Sequence, residues 1–201
     1  MHIAVIGAGS VGTTLAQAFA RAGHDVVMGV RDSSAQKAGL PGASVADAAA
    51  GAEIVVLATP WEGTRQAITA CGDLTGKIVV DCTNPIKADF SGLEIGHTTS
   101  GAEVVAAWSG QGKVVKCFNT TGFDNMANPG FPGGKAAAFA AGNDREAVAK
   151  VVRLANEIGF DAIDAGPLVI ARQLEQLAWL WIHLAIKQGM GREFAFGLLR
   201  R

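Results

Sequence analysis

Residues 2–12 read His2-Ile3-Ala4-Val5-Ile6-Gly7-Ala8-Gly9-Ser10-Val11-Gly12. Positions 2–6 are mostly apolar and β-branched, which predicts a short buried strand, and 13–22 reads as a helix. Gly-x-Gly-x-x-Gly lodged between a strand and a helix is the arrangement that cradles a dinucleotide's pyrophosphate. Each glycine has its own reason. Gly7 permits the tight turn, Gly9 presents no Cβ to the pyrophosphate, and Gly12 lets helix and strand approach closely. Free N–H groups at the helix start, around Ser10 and Val11, then face the phosphate charge. With 26 glycines in 201 residues the spacing alone is unspecific; its flanks supply the specificity.

Residues 25–30 predict the second strand, after a Gly23-His24 turn. A site for NAD usually carries an acid at the end of this strand to hold the ribose hydroxyls. Here Val30 and Arg31 stand there, with Ser33 and Ser34 beyond. A guanidinium pairs bidentately with a 2′-phosphate and neighbouring hydroxyls donate to it, so NADP is expected rather than NAD. Asp32 keeps the opposite reading open, since a shift of one residue would aim a carboxylate at the ribose.

The chain of 201 residues and 20.6 kDa suits one domain with a terminal extension. Apolar residues make up 49% and mean hydropathy is +0.27, toward the buried end for a soluble protein. A formal charge of −1 points away from nucleic acid or an anionic membrane as a partner. Because a strand begins at once, no signal peptide is expected. The most apolar stretch, 177–186, is too short to span a bilayer and contains His183. Cys71, Cys82 and Cys117 lack paired spacing and read as free thiols of a reducing compartment, so the expected location is cytoplasmic. Neither they nor the scattered histidines suggest a metal site.

Further along, 33–38 and 47–51 predict short helices, and 43–45 a short third strand. Unbroken apolar runs at 53–58 and 77–82 predict strands covered on both faces, with a helix over 61–71 between them. A loop is expected at 86–99 and a helix at 100–109, with Ser100 and Glu103 as a capping box. Then come a strand at 113–118, an irregular loop at 123–134, and a strand at 136–141. A helix capped by Asn143 or Asp144 runs to 158, followed by a strand at 160–165. Positions 168–188 read as one long helix and 194–199 as a short apolar one. The alternation implies an α/β fold: a Rossmann-type, doubly wound, mostly parallel sheet with a small C-terminal helical extension. Residues 1–166 are expected to form the nucleotide-binding domain and 167–201 a helical segment packed on it or on a partner subunit.

In the long helix Leu174, Leu177, Trp181, Leu184 and Ala185 form a stripe, while Trp179, Ile182 and Ile186 fall on other faces. A helix apolar nearly all round needs cover on more than one side. A homodimer would provide it, and so would the 194–199 segment folding back.

Ligands of a doubly wound sheet bind outside the carboxyl ends of the strands. Besides the glycine loop, Thr59-Pro60-Trp61, Thr83-Asn84-Pro85 and Asn119-Thr120-Thr121 leave such ends. Their uncharged hydroxyls and amides suit the ribose and carboxamide of a nicotinamide nucleotide, and equally suit turns. No convincing acid–base pair is present, so no catalytic residue is assigned. His97, beside Thr98, Thr99 and Ser100, is the one histidine placed for the pocket, and Asp81 is expected only to fix the loop after it. Hydride transfer between two bound cofactors depends on alignment more than on a proton shuttle.

The sequence resembles the F420-dependent NADP oxidoreductase family. The resemblance rests on residues 3–12, Gly29-Val30-Arg31, Ala58-Thr59-Pro60, Asp81-Cys82-Thr83-Asn84-Pro85, Lys116-Cys117-Phe118-Asn119-Thr120 and the tail at 191–200. It implies NADP held between the glycine loop and the strand-two arginine, with the deazaflavin F420 laid against the nicotinamide and hydride passing between them. Carried over, Arg31 would hold the 2′-phosphate and Ser10 would sit near the diphosphate. Thr59-Pro60 and Asn84-Pro85 would frame the nicotinamide ribose and ring, and Asn119-Thr120 would close the substrate side. Where the family often carries serine before that arginine, this chain has Val30. The family is often homodimeric. The nucleotide domain is also similar to the cytosolic reductase part of the STEAP metalloreductases, where a flavin (FMN or FAD would serve) receives the hydride. Two other readings stand beside it. One is an NADP-dependent dehydrogenase or reductase of a small organic substrate, resembling pyrroline carboxylate or β-hydroxyacid dehydrogenases, whose large helical second domain contrasts with the 35 residues after position 166. The other is a non-catalytic NADPH-binding module.

Overall fold

A computed structural model describes residues 1–31 and 39–201. The helix expected at 33–38, and Ser33 as a site residue, lie outside the described residues. The first strand, β1 (His2–Ile6), is followed by helix α1 (Ser10–Arg21) and β2 (Asp25–Gly29). A short β3 (Gly42–Ala43) and α2 (Val45–Gly51) come next. Then β4 (Ile54–Leu57), α3 (Trp61–Cys71), β5 (Ile78–Asp81), α4 (Gly101–Trp108) and β6 (Lys113–Lys116) alternate. The second part contains α5 (Phe123–Ala127), a hairpin of β7 (Gly130–Phe131) and β8 (Gly134–Lys135), β9 (Ala137–Gly142), α6 (Arg145–Glu157) and β10 (Asp161–Gly166). Helix α7 (Ala171–Ile182) follows.

The main sheet has the order β10-β9-β6-β5-β4-β1-β2-β3. Its pairs are parallel except β6 with β9, which run antiparallel with Lys116 opposite Ala141. This is a Rossmann-like α/β fold with a mixed, mostly parallel sheet and a C-terminal helical extension. Every residue of β4 and β5 is buried, as strands covered on both faces require. On one face Leu15 and Phe19 of α1, Met126 of α5, and Val148, Val151 and Leu154 of α6 share a core. On the other, Ala48 and Ala49 of α2, Ile68 and Cys71 of α3, and Ala102 and Val105 of α4 make a second core that Leu168 and Ala171 close. The strand order reverses between β1 and β4, so a crevice opens above their carboxyl ends.

Three segments differ from the sequence reading. The run 123–134 is not wholly irregular: α5 and the β7–β8 hairpin occupy it. The helix expected over 168–188 divides into a 3-10 turn (Leu168–Ile170), α7, and a π-helical turn (His183–Lys187). Residues 194–199 form no helix. They have no regular secondary structure and pack along the start of β9, with Ala137 N–H donating to Phe196 O at 2.8 Å. The Phe194 ring stacks on Trp181 at 5.3 Å between centroids, and Trp181 Nε1 donates to Phe194 O at 2.9 Å. The tail therefore does fold back over α7. Asn125 Nδ2 donates to Arg192 O and Phe194 O, and Arg200 grips Asp161 with two hydrogen bonds of 2.6 and 3.1 Å. Among the described residues no helix is long and apolar enough to cross a membrane.

Candidate nucleotide site

Gly7 turns the chain out of β1 with φ at +112°, and a Cβ there would stand 2.5 Å from Ala58 O. At Gly12 a Cβ would lie 2.0 Å from Gly7 O, so α1 can approach the strand only with glycine here. Gly9 differs: a Cβ would meet nothing within 4 Å. That is the open side of the loop, and Gly9 is also the N-cap of α1. The helix start has neither a capping side chain nor an acidic residue in its first turn. Thr13 N–H and Oγ1 both return to Gly9 O at 2.9 Å, leaving the N–H groups at 10–12 ahead of it. Ser10 is exposed, while the Val11 side chain packs on the core and can offer only its backbone. Contrast α2, α4 and α6, whose first turns are capped by Ser44, Ser100 and Asp144.

Parallel registry brings the other expected segments to the same sheet end. Val30 is buried in the core beyond β2, and Arg31 after it is exposed, with no ion pair among the described residues. Past β4, Thr59 shares a hydrogen bond with Thr64 Oγ1 at 3.0 Å, and exposed Pro60 starts α3. Past β5, the Thr83 hydroxyl donates inward to Asp81 Oδ1 at 2.7 Å, and Pro85 is buried. Past β6, Asn119 and Thr120 are both buried. The loops after β5 and β6 are locked to each other by an amide exchange. Asn84 Nδ2 donates to Asn119 O, and Asn119 Nδ2 donates to Asn84 Oδ1, each at 3.0 Å. Asn119 Nδ2 also reaches Leu174 O of α7 at 3.1 Å.

Beneath this exchange lies a charge cluster that the sequence reading did not assemble. Lys116 Nζ contacts Asp81 Oδ2 at 3.0 Å and Glu175 Oε1 at 2.9 Å, and donates a third bond to Thr83 O. Glu175 also accepts from Gly101 N at 2.8 Å and Ala102 N at 3.0 Å, so its carboxylate holds the first turn of α4. All three side chains are buried. Burial by itself lowers the Lys116 pKa, but the Asp81 and Glu175 carboxylates outweigh it and hold the ammonium above its ordinary value. Asp81 Oδ1 takes both N–H and O–H of Thr83 while Lys116 takes its carbonyl, so the residue before Asn84 is clamped on both sides. A signal was present in the sequence. The apolar strand β5 ends in Asp81 and β6 ends in Lys116 after two valines, and the β5–β6 register sets these opposite charges side by side. Asp81 does fix the loop after it, as expected.

His97 is not brought to the amide pair. It is exposed, at φ +63°, and lines a groove with Arg172, Gln173, Gln176, Leu177 and Leu180 of α7. Ser100 caps α4 as expected: its Oγ accepts from Glu103 N at 3.1 Å and donates to Glu103 Oε2 at 2.8 Å. Among the described residues no cluster of histidine, cysteine or acidic side chains could hold a metal ion.

The family described as NADP oxidoreductase coenzyme F420-dependent matches residues 2–85. The F420-dependent NADP reductase of Methanothermobacter thermautotrophicus is 32% identical over 210 aligned positions, covering 93% of this chain and 90% of that protein. The chain belongs to this family. A crystal structure of an Arthrobacter sp. FB24 protein superposes with a TM-score of 0.90 at 36% identity over the full length of both chains. Metalloreductase STEAP3 of Rattus norvegicus is 27% identical over 87% of this chain but only 36% of its own length, so the likeness covers one part of that larger protein. As a member of the F420-dependent NADP oxidoreductase family, the chain has the fold of an NADP(H)-binding oxidoreductase.

Proposed function

We propose that this chain binds NADP(H) across the crevice above β1 and β4 and transfers hydride between its nicotinamide and a deazaflavin (F420) or a flavin laid against it. The observation that carries the reading is the uncapped start of α1 beside the open face of Gly9. An anion there would find backbone N–H donors and the positive end of a helix dipole, with no side chain in the way. Residues and group fit in two further respects. Arg31 is exposed at the end of β2, where a 2′-phosphate would stand, and Ser33 is assigned with it. Half-buried Thr59 and Asn84 line the neighbouring strand ends, where the nicotinamide ribose and ring would lie.

When bound, NADP(H) supplies or receives the hydride at its nicotinamide. The chain's own work is positioning. Gly7 and Gly12 bring the helix start against the strand, and the N–H groups of Ser10, Val11 and Gly12 hold the diphosphate. Thr59-Pro60 and Thr83-Asn84-Pro85 frame the ribose and ring, and Asn119-Thr120 close the acceptor side. Residues 1–166 carry this nucleotide site, and 167–201 support it from α7 and the tail. We also assign a homodimer, on the exposed apolar side chains of Leu180, Ile186 and Met190, and a cytoplasmic setting, on three cysteines that are all free and buried.

Purified protein is given NADPH with F420, FMN or FAD in separate reactions, and NADPH oxidation is followed. Turnover with F420 well above both flavins supports the deazaflavin reading. Turnover only with flavin moves the acceptor to that class. NADPH binding without turnover on any of the three overturns the hydride-transfer reading.

A further inference from the structure

Among the described residues, Asn119 Oδ1 is the buried side-chain polar atom that no donor reaches. Turning the amide over does not cure this, because Nδ2 already faces two acceptors, Asn84 Oδ1 and Leu174 O. The Asn84 amide is oriented in its turn by donation to Asn119 O. A buried acceptor without a donor loses its hydration and regains nothing. The chain nevertheless holds it in place. Lys116, three positions earlier, is pinned to Asp81, Glu175 and Thr83, so the end of β6, the loop carrying Asn84 and the α7 backbone that meets Asn119 are all fixed together. A costly acceptor kept rigid between three segments at the carboxyl end of the sheet has the character of a recognition group.

We propose that Asn119 Oδ1 accepts a hydrogen bond from the primary carboxamide of the nicotinamide ring, and that the Lys116–Asp81–Glu175 cluster positions it to do so. This rests on the NADP(H) reading above and adds to it the group being recognised. The chemistry of the atom selects that partner. Ribose hydroxyls both donate and accept and can rotate to suit either kind of group. A carboxamide carries N–H donors in a fixed plane, which a fixed acceptor can distinguish from analogues without them.

The test uses the wild-type protein and three nucleotides: NADP+, its 3-acetylpyridine analogue, which keeps the carbonyl and loses the N–H donors, and its thionicotinamide analogue, which keeps the donors. Binding measured by calorimetry is expected to weaken at least about tenfold for the acetylpyridine analogue and to stay within about threefold for the thio analogue. Asn119→Ala is expected to bind NADP+ and the acetylpyridine analogue alike. Adenosine 2′,5′-bisphosphate, which lacks the nicotinamide, should bind that variant as it binds wild type and so reports a preserved fold. If Asn119→Ala fails that control, the wild-type comparison decides alone. Equal wild-type affinity for NADP+ and the acetylpyridine analogue overturns the assignment and leaves the NADP(H) reading standing. Discrimination that survives in Asn119→Ala overturns it as well. Wild-type protein that binds neither NADP+ nor the bisphosphate overturns both.

Discussion

Lys116 answers three acceptors with the three protons of one ammonium, fully buried in the fold. Such a group is stable only with its partners, because unpaired charge in the interior is what costs most. Lys116→Met keeps roughly the shape of the side chain and leaves Asp81 and Glu175 facing each other's charge. We expect it to destabilise the fold by about 3–5 kcal/mol. In urea the unfolding midpoint should fall with an unchanged slope, and an unchanged midpoint would show that the cluster contributes nothing. The strand ends themselves were legible in the sequence. Gly7, Thr59, Asn84 and Asn119 each follow an apolar run, and parallel registry brings them to one edge. The cluster was not legible, since a lysine between Val115 and Cys117 reads locally as a strand's polar end, and its partners are 35 and 59 residues away in sequence. Nor does the sequence reveal an amide exchange, which depends on two loops meeting.

Among the elements, the tail at 192–200 departs furthest from its sequence reading. Phe194, Ala195 and Phe196 are short apolar neighbours, and a run of that length fits a helix turn and an irregular strap equally well. What selects the strap lies elsewhere in the chain: the Trp181 ring that receives Phe194, the Asn125 amide that takes two tail carbonyls, and the free N–H of Ala137 at the start of β9. The short helix α5 was hidden in the same way, among residues whose glycine, proline and asparagine content signals turns. By contrast β4 and β5 were legible because burial on both faces demands an unbroken apolar run. Phe194→Ala removes the ring from Trp181 and is expected to cost about 2–3 kcal/mol, less than a deep core site because Phe194 is only half-buried. Native-state proteolysis should then cut the tail faster than in wild type, and equal cutting rates would show that the stack does not hold it.

Taken whole, the molecule buries its ionisable thiols in both cores. Burial pushes Cys71 up to about 11 and Cys117 up to about 12, and raises Cys82 well above the ordinary 9.0. A group whose pKa is raised by folding stabilises the fold fully below its unfolded value and ceases to do so as pH climbs through its folded value. The three thiols share this sign with Lys116, which the carboxylates hold above 10.5. Their stability contribution should be level through neutral pH, decline above about pH 9 and be largely gone near pH 12. Melting temperatures measured from pH 7 to pH 11 check this, and a midpoint that rises with pH above 9 would contradict it. The reversed direction of β9 has an architectural consequence too. Because β9 runs against β6, its first residues rise to the edge where the nucleotide loops leave, and the tail is bonded to it there through Phe196 and Arg200. Met1, ahead of β1, lies at the opposite edge. The two ends of the chain are thus at opposite poles of the sheet. A surface tether or fluorophore attached at residue 1 sits at the sheet end opposite the crevice, whereas one attached at residue 201 shares the crevice's end of the sheet, beside β10 and four strands away from β4.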